Sequence, residues 1–168
     1  MSNVVRIDID AAAALQALNA FADRNFNNLL ETLGALVEGQ TKRRIAVEKT
    51  SPDGVKWKPL APLTVKARRK GSNSPLTDTG RLLGSISHTI SGNQAIVGTN
   101  VFYAKYHQYG VKAIKPKKGK ALRVPLAGGG AAFIGGSAIP ARPFMGISDK
   151  NMKDIKLAVD AWVEDAFT

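Results

Sequence analysis

Cysteine is absent from this chain, so neither disulfides nor thiolate metal sites are available and stability has to come from packing. Histidine is nearly absent: only His88 and His107 occur, far apart, and neither belongs to a His-x-x-x-His ligand pattern. A Gly-x-Ser-x-Gly nucleophile elbow is missing, and Ala127-Gly128-Gly129-Gly130 lacks the Gly-Lys-Ser/Thr that completes a phosphate-binding loop. No apolar run approaches the roughly 20 residues that span a bilayer. The opening Met1-Ser2-Asn3-Val4-Val5-Arg6, with acids at Asp8 and Asp10, lacks the basic start and continuous apolar core of a secretory signal. These absences predict a soluble, unprocessed protein that works without metal, cofactor or catalytic constellation. The best candidates for a metal or nuclease pair are Asp53 and Asp78, and hydrogen bonding to turn backbone accounts for both, since each stands in a glycine turn.

Acidic residues are scarce where basic ones are dense. The formal net charge is +11, yet residues 1–41 carry two basic and five acidic side chains and residues 147–168 carry three and five. The segment between them holds nineteen basic residues and three acids. One cluster runs from Lys42, Arg43, Arg44 and Lys49 to Lys66, Arg68, Arg69 and Lys70; the second comprises Lys112, Lys115, Lys117, Lys118, Lys120 and Arg123. Such a surface attracts polyanions, and composition leaves open whether the partner is nucleic acid or an acidic protein. Lys42, Arg43 and Arg44 equally suit the C-terminal end of a helix, where they complement its dipole.

With 168 residues, 44% of them apolar, the chain supports one ordinary core, which predicts a single domain over 1–168. A helical part is expected over 10–49. Asp10 caps a first helix carrying Leu15, Leu18, Phe21 and Ala22, and a second helix from about Asn27 aligns Leu29, Leu30, Leu33, Val37 and Ile45. Ser51-Pro52-Asp53-Gly54 ends it. A core over 51–146 follows. Pro62 opens a short helix from Leu63 to Lys70, and Asp78-Thr79-Gly80 opens another turn carrying Leu82 and Leu83. The segments 85–90 and 94–98, around Gly92-Asn93, read as an antiparallel hairpin. Val101 to Tyr109 reads as a helix stopped by Gly110. Residues 111–137 are expected to form a flexible basic and glycine-rich loop, with short strands at 121–125 and 132–134, because glycine at that density is costly inside a strand. Ser148 caps a final helix, 148–167, whose apolar stripe is Met152, Ile155, Val159, Trp162, Val163 and Ala166. The fold class is therefore α+β: N-terminal helices and a C-terminal helix packed on a small, mainly antiparallel sheet.

Five blocks stand out in the middle of the chain. They are Ser-Pro-Asp-Gly-x-x-Trp-x-Pro-Leu at Ser51 to Leu60, Leu-x-Asp-Thr-Gly-x-Leu at Leu76 to Leu82, Val-Gly-Thr-Asn at Val97 to Asn100, Tyr-Ala-x-Tyr-His-Gln-Tyr-Gly at Tyr103 to Gly110, and Pro-Ala-Arg-Pro-Phe at Pro140 to Phe144. In this order they resemble the virion-morphogenesis, or tail-completion, family of tailed phages and their prophages, over about residues 30 to 167. The resemblance implies a structural protein of the virion neck that completes tails or joins heads to tails, and not an enzyme. It implies that Trp57, Leu82, Tyr103, His107, Gly110, Arg142 and Phe144 belong to the shared fold or its contacts, alongside the turn residues Asp53, Gly54, Asp78 and Gly80. Trp57 and Phe144 are large anchors beside prolines, and Arg142 has the planar fork to hold a carboxylate or carbonyl.

The expected partners are other neck and tail proteins (connector, tail terminator or tube), further copies of the chain in a ring, and packaged DNA, with no membrane. The expected location is the host cytoplasm during assembly, then the virion. Lys112, Lys115, Lys117, Lys118, Lys120 and Arg123 are the expected partner-facing residues. The other reading of the same charge is a sequence-independent nucleic-acid-binding protein.

Overall fold

A computed structural model describes residues 26–68, 73–117 and 119–165. The helix expected after Asp10, and Arg69, Lys70 and Lys118, lie outside the described residues. The first described helix, α1, is Phe26–Arg43, continued by a π-helical segment, Arg44–Glu48, that ends on Lys49 in the left-handed conformation. Extra residues per turn at that end swing Arg44 and Ile45 inward, where both are fully buried. The chain then reverses at Pro52-Asp53-Gly54. Gly54 has φ +82°, its amide donates to the Ser51 carbonyl at 2.9 Å, and Asp53 Oδ1 accepts from the Val55 amide at 3.2 Å.

Pro62 at the first position of α2 (Pro62–Ala67) needs no amide partner, which favours it there. This helix is shorter than expected and ends at Ala67. A one-turn helix, α3 (Arg81–Gly84), starts from Gly80 with φ +79° and buries Leu82. The hairpin forms as expected from β1 (Ile86–Ser91) and β2 (Gln94–Thr99), with Ile86 opposite Thr99 and Ser91 opposite Gln94 around Gly92-Asn93. α1 packs across this hairpin at Gly34, where an added Cβ would sit 2.6 Å from the His88 ring.

After the short helix α4 (Ala104–Tyr109), the chain departs from expectation. Residues 111–139 carry two antiparallel ladders where a mostly flexible loop was expected, and the short strands expected at 121–125 and 132–134 are present within them. β3 (Val111–Ile114) pairs with β6 (Ser137–Ile139), and nested between them β4 (Leu122–Pro125) pairs with β5 (Ala131–Ile134). The glycines that argued against strand structure are concentrated in the turn of the inner hairpin. Gly129 and Gly130 have φ +95° and +77°, and Leu126 bonds to Gly130 and Gly129 to Leu126. The tip is tied down by the Ala127 amide, which donates to the Lys66 carbonyl on α2 at 3.1 Å. The β component is thus three separate two-stranded ladders among the described residues, where one small sheet was expected.

The last helix, α5 (Asp149–Glu164), begins with a capping box: Ser148 Oγ accepts from the Asn151 amide and Asn151 Oδ1 from the Ser148 amide. It runs antiparallel to α1, with Phe26 against Trp162 (centroids 5.2 Å apart) and Gln40 donating to Asp154 at 3.1 Å. Met152, expected in its apolar stripe, is exposed; its place facing α1 is taken by Asn151, which is buried. Ala166 lies outside the described residues. The core gathers Ile45, Trp57, Leu76, Leu82, Ile86, Val101, Ala104 and Phe144, half of them from the π-helical segment, α3, β1 and α4 and half from the connections between elements.

Candidate docking faces

The motif blocks meet around two buried arginines. Arg142 is 4% exposed; its Nε donates to the Lys58 carbonyl and its Nη2 to the Pro59 carbonyl, both at 3.0 Å, and its backbone amide donates to the His107 carbonyl at 2.7 Å. The planar fork therefore clamps the irregular segment 57–60 to the chain leaving β6. Arg44, 2% exposed, does the same on the other side of Phe144. Nη1 donates to the carbonyls of Phe144 and Gly146, at 2.9 and 2.7 Å, and Nη2 donates to Asn151 Oδ1. Burial pushes both guanidinium pKa values below the usual arginine range; neighbouring Glu48 opposes this at Arg44, and the positive charge of Arg68 adds to it at Arg142. Arg44 is thus a structural bracket, which favours neither exposed helix-end charge nor partner contact, the two readings open to it from sequence. Thr41 and Ile45, also buried, flank it on the inward side of the helix end, and that spacing was the available signal.

Gln108 was not singled out from sequence, yet it joins the blocks. Its Oε1 accepts from the amides of Phe144 and Met145, and its Nε2 donates to the Met145 carbonyl, each at 3.0 Å. Trp57 is buried and donates from Nε1 to the Pro143 carbonyl at 3.1 Å. Gly110 has φ +74°, and a Cβ there would meet Ala141 N at 2.8 Å and Ile139 O at 2.9 Å, so β6 passes directly over its backbone. Lys49 is also turned inward: its ammonium donates to the carbonyls of Ile45 and Pro75, and burial followed by the charge of Arg68 lowers its pKa.

Asp78, Gly80, Leu82, Tyr103, His107 and Arg142 line one cleft of about 960 Å³, bounded also by α2 and by Ser137 to Pro140. Asp53 and Asp78 do not meet there as a pair: Asp53 belongs to the separate Pro52–Gly54 turn, while Trp57 and Phe144 sit in the core. Tyr103 packs edge-on against His107, centroids 5.8 Å apart. Burial, then Arg142 and Arg68, lower the His107 pKa, which keeps the ring neutral. Two wall atoms, Asp78 Oδ1 and His107 Nδ1, are shielded from solvent and have no hydrogen-bond partner. Across the molecule, His88 ties β1 to α1: Nδ1 lies 2.6 Å from Glu38 Oε2 and Nε2 3.0 Å from Glu31 Oε2, while Lys42 pairs with Glu38. Lys42, then His88, hold the Glu38 carboxyl at about 2, and the two carboxylates, Glu38 foremost, raise the His88 pKa.

The second face is cationic. Lys112, Lys115, Lys117, Lys120 and Arg123 are all exposed along β3, β4 and their connection. No aspartate or glutamate occurs between Asp78 and Asp149 to neutralise it. Among the described residues no trio of metal-ligating side chains gathers, and no helix is long and apolar enough to cross a membrane.

Comparison with known proteins agrees with the ordered blocks. The phage virion morphogenesis family matches residues 9–164, nearly the whole chain. A relative from Haemophilus influenzae, "Mu-like prophage FluMu G protein 2", is 39% identical over 82 residues. Those residues are 49% of this chain and 46% of the relative, so the match spans about half of each. No solved structure matches.

Proposed function

The chain belongs to the phage virion morphogenesis family, and from that premise we propose that it completes tails or joins heads to tails at the neck of the virion, by docking and not by catalysis. The observation that carries this reading is the exposed row Lys112, Lys115, Lys117, Lys120 and Arg123 on a nested ladder with no acid among them. Charge arranged this way attracts an acidic neighbour and orients its approach. The motif residues that a catalytic reading would need are occupied elsewhere: Arg142 holds two carbonyls, and His107 is half-buried and neutral. The neighbours are connector, terminator or tube proteins, together with further copies of this chain in a ring closed by one surface binding a different surface on the next copy. Assembly takes place in the host cytoplasm and the protein stays with the particle, where the basic row also faces packaged DNA.

The test is a phage genome deleted for this gene and complemented in trans. Without the gene, heads and tails should accumulate unjoined under the electron microscope. A Lys112→Glu, Lys115→Glu, Lys117→Glu, Lys120→Glu variant should leave the same phenotype while keeping its thermal midpoint. Normal particles from that variant would remove the docking role of the basic row.

A further inference from the structure

Helix α4 has two unlike faces. Ala104, His107 and Gln108 turn inward, toward the core, the cleft and the Phe144 backbone. Tyr106 and Tyr109 turn outward with Phe102, in the turn that leads into the helix, and the three are 39%, 80% and 73% exposed. Large aromatics exposed on one stripe are unusual on a protein surface, because nothing repays leaving them in water except a partner. The stripe is held in place. The Phe102 ring packs edge-on against Tyr103, centroids 5.7 Å apart, and Tyr103 packs on His107 in the cleft wall. Lys105 Nζ stands 5.3 Å from the centre of the Tyr106 ring. Beside Tyr106 lies a hollow of about 410 Å³ lined by Val111, Ala113, Ile114, Lys115 and Ile139, apolar apart from its one lysine. The stripe thus adjoins the first part of the cationic row.

We propose that the outward face of α4, with the hollow beside Tyr106, is a protein-docking site for a partner that is apolar at the centre of its contact and acidic at its rim. The occupant follows from charge. Two copies meeting through this same face would oppose Lys105 and Lys115 to their own images with no acid nearby, so a two-fold dimer is disfavoured. A partner carrying carboxylates around a leucine- or phenylalanine-sized knob answers both the ring stripe and the lysines: the knob fills the hollow, the rings flank it, and Lys105 and Lys115 meet the rim. A bare polyanion answers only the lysines. This proposal rests on the docking reading above and adds its apolar anchor.

The experiment is complementation of the deleted phage genome with the full chain carrying Phe102→Ala and Tyr109→Ala. Infectious titre should fall about 30-fold or more, as for loss of anchors at an interface centre. The variant should also be missing from purified particles, with far-UV circular dichroism and thermal midpoint unchanged. Lys105→Glu, which leaves both rings in place, should lower titre about tenfold. Wild-type titre and incorporation for the double variant, while the four-lysine reversal still fails, would overturn this proposal and leave the docking reading standing. If the purified protein bound a 20-nucleotide oligo-dT at low salt, and the double variant did not, the occupant would be nucleic acid and the proposal would fall. If the double variant merely abolished self-association in sedimentation, the occupant would be a second copy, and the proposal would fall likewise.

Discussion

Arg44 and Arg142 in the interior and Lys112, Lys115, Lys117, Lys120 and Arg123 at the surface are all cationic, and the protein treats them oppositely. The arginines are withdrawn from water and bonded to backbone carbonyls, whereas the lysines stand along a ladder in full solvent. The chemistry of the side chains explains the partition. A guanidinium is planar, weakly hydrated and donates in a fixed fork, so it can replace its water by two or three carbonyls. An ammonium is a compact, strongly hydrated charge, and Lys49 shows what its burial entails: several oxygen partners and a pKa drawn down. Net charge therefore mixes two functions. The arginine brackets hold loops that have few apolar side chains of their own, while the lysine row is available to a partner.

The comparison breaks most visibly at Arg44. Arg44→Met keeps volume but removes the donor to the buried Phe144 carbonyl, the one to the Gly146 carbonyl, and one of the two that Asn151 Oδ1 accepts from. The expected loss is about 3 kcal/mol or more in a urea melt. Lys115→Met on the ladder should change stability by no more than about 0.5 kcal/mol. Equal effects at the two positions would mean that the bracket is no stronger than a surface charge.

What could be read from sequence follows the same division. The hairpin 86–99, the Pro62 helix start, the Ser148 cap and the α+β class were legible because they are set by residues within a few positions of one another. Arg44 was not, since its partners lie about a hundred residues away and its place between Thr41 and Ile45 at the helix end does not reveal them. The inner strands were read at 121–125 and 132–134, but their pairing and the outer ladder were missed for a related reason: β3 pairs with β6 across the whole inner hairpin, and Gly128 to Gly130 look disruptive until they fall in its turn. Trp57, read from sequence as an anchor, is buried, whereas Phe102 just before α4 and Tyr106 and Tyr109 on it are exposed. Their spacing was present in Tyr103 to Gly110, but outward from inward could not be told before the partners of Gln108 and His107 were known.

A backbone contact sharpens the comparison next. Gly110 joins the scaffold to the ladder, turning from α4 into β3 while β6 crosses above it. Gly110→Ala asks an L-residue to adopt φ +74° and places a methyl within 3 Å of two backbone atoms that cannot rotate away. Together these should cost about 2 kcal/mol or more, and amide exchange in β3 and β6 should quicken more than in β1 and β2. A uniform change across all three ladders would show that β3–β6 is not a separate unit.

The smallest effect is expected at the exposed ion pairs between α1 and β1, where charge is neither bracketed nor left free. His88 has its folded pKa raised by Glu38 and Glu31, so its contribution is fully present below the ordinary histidine value and is lost as pH rises through the raised one. Glu38 is depressed to about 2 by Lys42 and His88, so its contribution is present above the ordinary carboxylate range and is lost only as pH falls through about 2. The contact is therefore strongest in mildly acid solution, with His88 charged and Glu38 ionised. Replacing His88 by Gln should lower the thermal midpoint by a few degrees near pH 5 and by less above pH 8, because the neutral ring has lost its charge and can donate to only one of the two carboxylates. Gly34, directly beneath the ring, leaves room for either side chain. A midpoint difference independent of pH would assign the contact to packing against Gly34, and the pairs with Glu31 and Glu38 would then contribute nothing measurable.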